Sequence, residues 1–93
     1  MKANVIIINP ADNVAVALVD IRKGERVILP GDLELEAMND IPFSHKVALR
    51  DLGEGEDIVK YGEVIGQAKE GITKGDWVHT HNLVVEDEGG REG

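Results

Sequence analysis

The chain has no cysteine and only three aromatic residues among its 93, one each of Phe, Tyr and Trp. The first absence excludes disulfides, cysteine-ligated zinc and iron–sulfur clusters held by this chain. The second means that a core has to be built from Val, Ile, Leu and Ala. Positive charge is scarce too: ten Lys and Arg stand against eighteen Asp and Glu, for a formal charge of −8. That balance argues against nucleic acid and against an anionic membrane surface, because few cations are present to neutralise phosphates. Met1-Lys2 is followed by an apolar stretch of only four residues, Val5–Ile8. This is too short for a signal-peptide core or a membrane span. The expectation is one small cytoplasmic domain with a single core.

What the chain does contain is repetition. Val16–Ile28 (VALVDIRKGERVI) aligns without a gap on Val47–Val59 (VALRDLGEGEDIV), an offset of 31 residues. A weaker third copy is read at Ala68–Val78, which keeps the alanine, an Ile, a Gly-acid pair and the closing Val. In each copy glycine can take a positive φ at little steric cost, and a strand follows. The runs Val5–Ile8, Val14–Leu18, Arg26–Leu29, Val47–Leu49, Asp57–Lys60 and Trp77–His79 read as short strands, and Leu83–Val85 continues the last, while Tyr61-Gly62 turns into Val64–Gly66 as a tight change of direction. Leu33–Asn39 is ambiguous, since its leucines alternate as in a strand while Leu, Glu, Ala and Met favour helix. It reads as an insertion relative to the repeat. No segment keeps a helical period over three turns, so the fold class is mainly β. Residues 1–85 form the domain, and the charged, glycine-rich residues 86–93 form a disordered tail.

The stretch His45–Ala68 (HKVALRDLGEGEDIVKYGEVIGQA), followed by Gly75-x-x-Val78-His79-x-His81-Asn82, resembles the SAF-type domain of the altronate and galactarate dehydratase family. The similarity extends over residues 5–85, with Asp12–Leu18 matching the opening strand. One departure stands out: Ser44 occupies the place before the His-Lys pair where the family commonly has glycine. The resemblance implies a small β-clip fold with a pseudo-symmetric pair of halves. It also implies a lyase that eliminates water, or sulfite as in sulfolactate sulfo-lyases, from a sugar acid or similar 2-hydroxy acid. A chain of this size corresponds to a small subunit, inactive alone and completed by a larger catalytic subunit.

Elimination beside a carboxylate needs a base, a stabiliser for the enolate-like charge and an acid for the leaving group. On this reading His45, His79 and His81 are the candidate catalytic residues. Ser44, Lys46, Lys60 and Asn82 are the candidate substrate contacts. His79 and His81 lie at i and i+2, which on a strand puts both on one side with Cα atoms roughly 6–7 Å apart. That spacing suits sharing one substrate or one divalent metal, the latter implied by the resemblance to be Fe2+ or Mn2+, although two histidines do not complete a metal site. Asp20/Glu25 and Asp51/Glu56 recur with the repeat and read as turn chemistry. Trp77 reads as core and Tyr61 as a turn residue beside Gly62. Gly53-Glu54-Gly55 is no phosphate loop, because no helix start follows it. The other reading is a non-catalytic SAF module that binds a carbohydrate or a protein; convergence of the three histidines on one concave face would favour the enzyme reading, and their scatter the module. Homo-oligomers are a further expectation, since short strands leave sheet edges to be paired.

Overall fold

Short β-branched runs divided by glycine-bearing turns produce strands and nothing else in the described residues. A computed structural model of the chain describes residues 2–85, and all nine of its elements are strands. These are β1 (Val5–Ile6), β2 (Val14–Ala17), β3 (Arg26–Ile28), β4 (Glu34–Glu36), β5 (Lys46–Ala48), β6 (Asp57–Lys60), β7 (Glu63–Ala68), β8 (Trp77–Val78) and β9 (Leu83–Val84). A four-stranded antiparallel sheet in the order β1-β2-β5-β8 runs through the molecule. Two smaller antiparallel sheets flank it, β3-β4 and β6-β7-β9. The expected tail, residues 86–93, lies outside the described residues.

The 31-residue offset governs the hydrogen bonding as well as the letters. Val27 pairs with Leu35 in the first hairpin, and Ile58 pairs with Gly66 in the second. Isolated bridges join Ile21 to Ile41 and Leu52 to Ile72. Each Gly-acid turn is built alike. The Arg22 N–H donates to Glu25 Oε1 at 2.8 Å and the Gly53 N–H to Glu56 Oε1 at 2.9 Å. Gly24 and Gly55 sit at φ 88° and 83°. Asp20 and Asp51 accept the backbone N–H of Phe43 and Lys74, both at 2.8 Å. These four carboxylates are turn and bridge fasteners, as their recurrence suggests.

Two sequence expectations need correction. Leu33–Asn39 is no insertion: its central residues form β4, whose pairing with β3 recurs 31 residues later between β6 and β7. Strand alternation outweighs helix propensity there because Leu35 packs against a core while Glu34 and Glu36 flank it. The third copy is the second half of a longer unit. Ala68–Val78 matches Ala37–Val47 at the same offset, so the chain holds two long units and not three short ones.

Each unit closes its own core. Val5, Ala17, Ile21, Val27, Ala37, Ile41 and Val47 belong to the first, and Val14, Ala48, Leu52, Ile58, Ala68, Ile72 and Val78 to the second. Six of these seven correspondences follow the 31-residue offset, and the remaining one, Val5 with Val14, is an offset of nine. The cores lie on opposite faces of the central sheet, since neighbouring Val47 and Ala48 on β5 enter different ones. Both are aliphatic, and each fully buried Val or Ile contributes about 1.5–3 kcal/mol.

An asparagine ties each hairpin to the central sheet. Asn4 Nδ2 donates to the Arg26 carbonyl at 3.0 Å while Oδ1 accepts the Ile28 N–H at 2.7 Å. Asn13 does the same to Asp57 and Val59, both at 2.8 Å. The side-chain amide thus imitates one peptide unit of a neighbouring strand.

Candidate ligand site

In the antiparallel pair β5–β8, Val47 stands opposite Trp77 and Lys46 opposite Val78. One step further along this register, His45 faces His79. Their ring centroids are 4.8 Å apart. These two residues occupy the positions that Val14 and Ala48 fill in the second core, displaced by the 31-residue offset. The cluster is therefore the start of a third repeat core in which aliphatic residues have been replaced by imidazoles.

Trp77 lies on the same sheet face and holds the cluster together. His79 stacks on its indole at 5.2 Å and 8°. His81 tilts against it at 5.0 Å, and His45 at 5.7 Å. The indole Nε1–H donates to His45 Nδ1 at 3.1 Å. The three candidate histidines are thus brought to one place. Trp77, expected only in the core, is half-buried, packed against the first core and equally part of this cluster. Its spacing of two from His79 carried the signal, because residues 77 and 79 share a side of a strand.

The histidines do not share a continuous strand, however. β8 ends at Val78, and His79–Asn82 form a tight turn in which the His79 carbonyl accepts N–H groups from Asn82 and Leu83 at 3.0 and 2.9 Å. Asn82 builds that turn. Its Oδ1 accepts the His79 N–H and its Nδ2 donates to the Trp77 carbonyl, both at 2.9 Å. With 2% of its surface exposed, Asn82, expected as a substrate contact, shapes the site from beneath, both polar atoms of its side chain engaged in the turn. The Trp77 N–H, which also points away from β5, is taken by Asp76 Oδ1 at 2.8 Å.

Ser44 is exposed next to His45 with φ at 68°, the left-handed region that glycine favours. Its equivalent 31 residues later is Gly75, at φ 92°. Lys46 points to the opposite face of the sheet from Val47 and approaches Lys60. The Lys60 ammonium lies 4.7 Å from the Tyr61 ring centroid. Lys46 and Lys60 therefore form a basic pair behind the histidines and not among them.

Electrostatics follow from this grouping. Partial burial, and then the charges of His45, Lys46 and His81, hold the His79 pKa below the usual imidazole value. Burial and the neighbouring Lys60 ammonium push the Lys46 pKa down. An acidic chain has thus gathered its histidines at one end of β5 and β8, with the Lys46 charge felt from the other face of the sheet, an arrangement that favours a bound anion.

Concavity and chemistry do not coincide. A cleft of about 510 Å³ is lined by Pro10–Asn13, Leu49, Arg50, Glu56, Asp57 and Val59. Its polar groups are already engaged: Asp12 accepts the Gly62 and Asn9 N–H groups, and Arg50 pairs with Glu56. A smaller hollow of about 270 Å³, lined by Lys23, Asn39 and Asp40, meets the cluster through Trp77. Among the described residues no three His, Asp or Glu side chains come together to hold a metal ion. His79 and His81 alone therefore do not make a complete metal site.

These features define a small all-β domain built of two repeats with a histidine-rich cluster at the end of the second. The chain belongs to the altronate/galactarate dehydratase SAF domain family, whose model matches residues 3–86. It is 46% identical over 75 residues to altronate dehydratase of Bacillus subtilis, covering 81% of this chain and 15% of that protein. It is 39% identical over 80 residues to galactarate dehydratase (L-threo-forming) of Escherichia coli, covering 84% of this chain and 14% of that enzyme. With the (2R)-sulfolactate sulfo-lyase subunit alpha of Paracoccus pantotrophus it shares 47% identity over 51 residues, 55% of this chain and 76% of that subunit. The chain thus spans about one seventh of the dehydratases it matches, and over half of a relative that is itself one subunit of an assembly. No helix of the described residues is long and apolar enough to cross a membrane.

Proposed function

We propose that this domain supplies the anion-binding part of a lyase active site that eliminates water, or sulfite, from a sugar acid or related 2-hydroxy acid, with the remainder carried by a larger catalytic subunit. The observation that carries this reading is the convergence of His45, His79 and His81 on the indole of Trp77. Family membership supports the reaction class, and the sulfo-lyase subunit supports division of such an enzyme between chains. A neutral His79 at physiological pH is able to accept a proton, which suits a base beside a carboxylate. Lys46 and Lys60 add positive potential behind it. A divalent metal, Fe2+ or Mn2+, would take most or all of its ligands from the larger subunit.

The test is a titration of the isolated domain, watched through its histidine resonances, with galactarate, sulfolactate and the uncharged polyol galactitol. Binding of the acids is expected to shift His45, His79 and His81 and to raise the His79 pKa, whereas galactitol leaves them unmoved. No turnover is expected until the larger subunit is added, and His79→Ala with His81→Ala then lowers the restored activity. Equal responses to acid and polyol, or none at the histidines, would favour the non-catalytic carbohydrate- or protein-binding reading.

A further inference from the structure

We infer that Trp77 is the positioning residue of this cluster: its indole N–H holds His45 as the Nε2–H tautomer, so that His45 meets a ligand oxygen through a fixed N–H. The inference rests on reading the cluster as a ligand site. An indole N–H donates and never accepts. The 3.1 Å contact from Trp77 Nε1 to His45 Nδ1 therefore requires a lone pair on Nδ1. A neutral imidazole with that lone pair carries its proton on Nε2. The ring is also fixed in rotation, because turning it over would replace Nδ1 by Cδ2–H, which cannot accept the indole N–H.

The consequence is a division of labour between two chemically identical side chains. His45 offers a fixed N–H. His79, held against the indole by stacking and not by a ring hydrogen bond to it, keeps a lone pair free to accept. Trp77 is itself anchored at both ends of its backbone, by Asp76 Oδ1 on its N–H and Asn82 Nδ2 on its carbonyl. The orientation of His45 is thus set by a rigid element and not by the ligand.

Trp77 is the only tryptophan of the chain, so growth with benzothienylalanine replaces the indole N–H by sulfur at this one site while preserving its shape. In the native domain, nitrogen NMR is expected to show His45 protonated at Nε2 and a coupling across the hydrogen bond between Trp77 Nε1 and His45 Nδ1. In the replaced protein that coupling disappears and both His45 tautomers appear, with the melting temperature little changed. Galactarate binding is expected to weaken about five- to tenfold, the scale of one hydrogen bond. A native His45 protonated at Nδ1, or galactarate affinity unchanged by the replacement, would overturn the inference. If the native domain binds no galactarate, the reading of the site fails with its binding arm, and the tautomer measurement still decides whether Trp77 orders His45.

Discussion

Ser44 and Gly75 hold equivalent turn positions, both at positive φ, but the space around them differs. A Cβ on Gly75 would lie 2.1 Å from the Glu36 carbonyl oxygen, whereas Ser44 accommodates one at the cost of a strained backbone. Ser44→Gly is therefore expected to stabilise the fold by about 1 kcal/mol, raising the melting temperature by roughly 4–8 °C. Gly75→Ala should cost at least about 3 kcal/mol, because the clash is with backbone; denaturant unfolding of both variants measures the contrast. His79 gives a prediction in pH. Its folded pKa is depressed, so its contribution to stability is complete above the unfolded value of about 6.5 and is lost as pH falls below it. The urea midpoint should decline between pH 7.5 and 5.5, and His79→Gln should flatten that decline. A midpoint that rises over this range in the native protein relative to the variant would contradict the assigned cause. The histidines themselves were legible in the sequence. The role of Trp77 was not, because a lone tryptophan in an aromatic-poor chain is expected to fill the core, and here it serves core and cluster together.

Among the elements, the strands were readable wherever β-branched residues met a Gly-acid turn, since both the conformation and its terminator are local. β4 was not, because Leu, Glu, Ala and Met favour helix and only pairing with β3 decides the matter. The equivalence of Asn4 and Asn13 was hidden for another reason: it falls at an offset of nine, while the rest of the repeat keeps 31. Their amides replace peptide groups in tying β3 and β6 to the central sheet. Asn13→Ala leaves the Val59 N–H and Asp57 carbonyl short of a partner at a partly buried position. A loss of about 1–3 kcal/mol is expected, larger than for Asn4→Ala, whose bond to Arg26 is exposed. Faster hydrogen exchange at the Val59 amide of Asn13→Ala, with Ile28 unchanged, would locate the effect in the second clasp.

Across the whole molecule, two cores share one sheet, and β5 contributes adjacent residues to both. They are expected to melt together. Ile58→Val in the second core should cost about 0.5–1.5 kcal/mol. It should also move the Trp77 fluorescence transition, which reports the first core, by the same amount as the far-ultraviolet circular dichroism transition. Separate midpoints would show two independent units. The turn that follows β8 has a consequence at this scale too. All the main-chain groups that Trp77 and the His79 N–H turn away from β5 are consumed by Asp76 and Asn82. A neighbouring polypeptide therefore finds these three backbone groups already taken and no ladder there on which to extend the sheet. Whatever approaches it is met by rings and not by backbone, so recognition on this side of the molecule is left to chemistry and withheld from polymerisation.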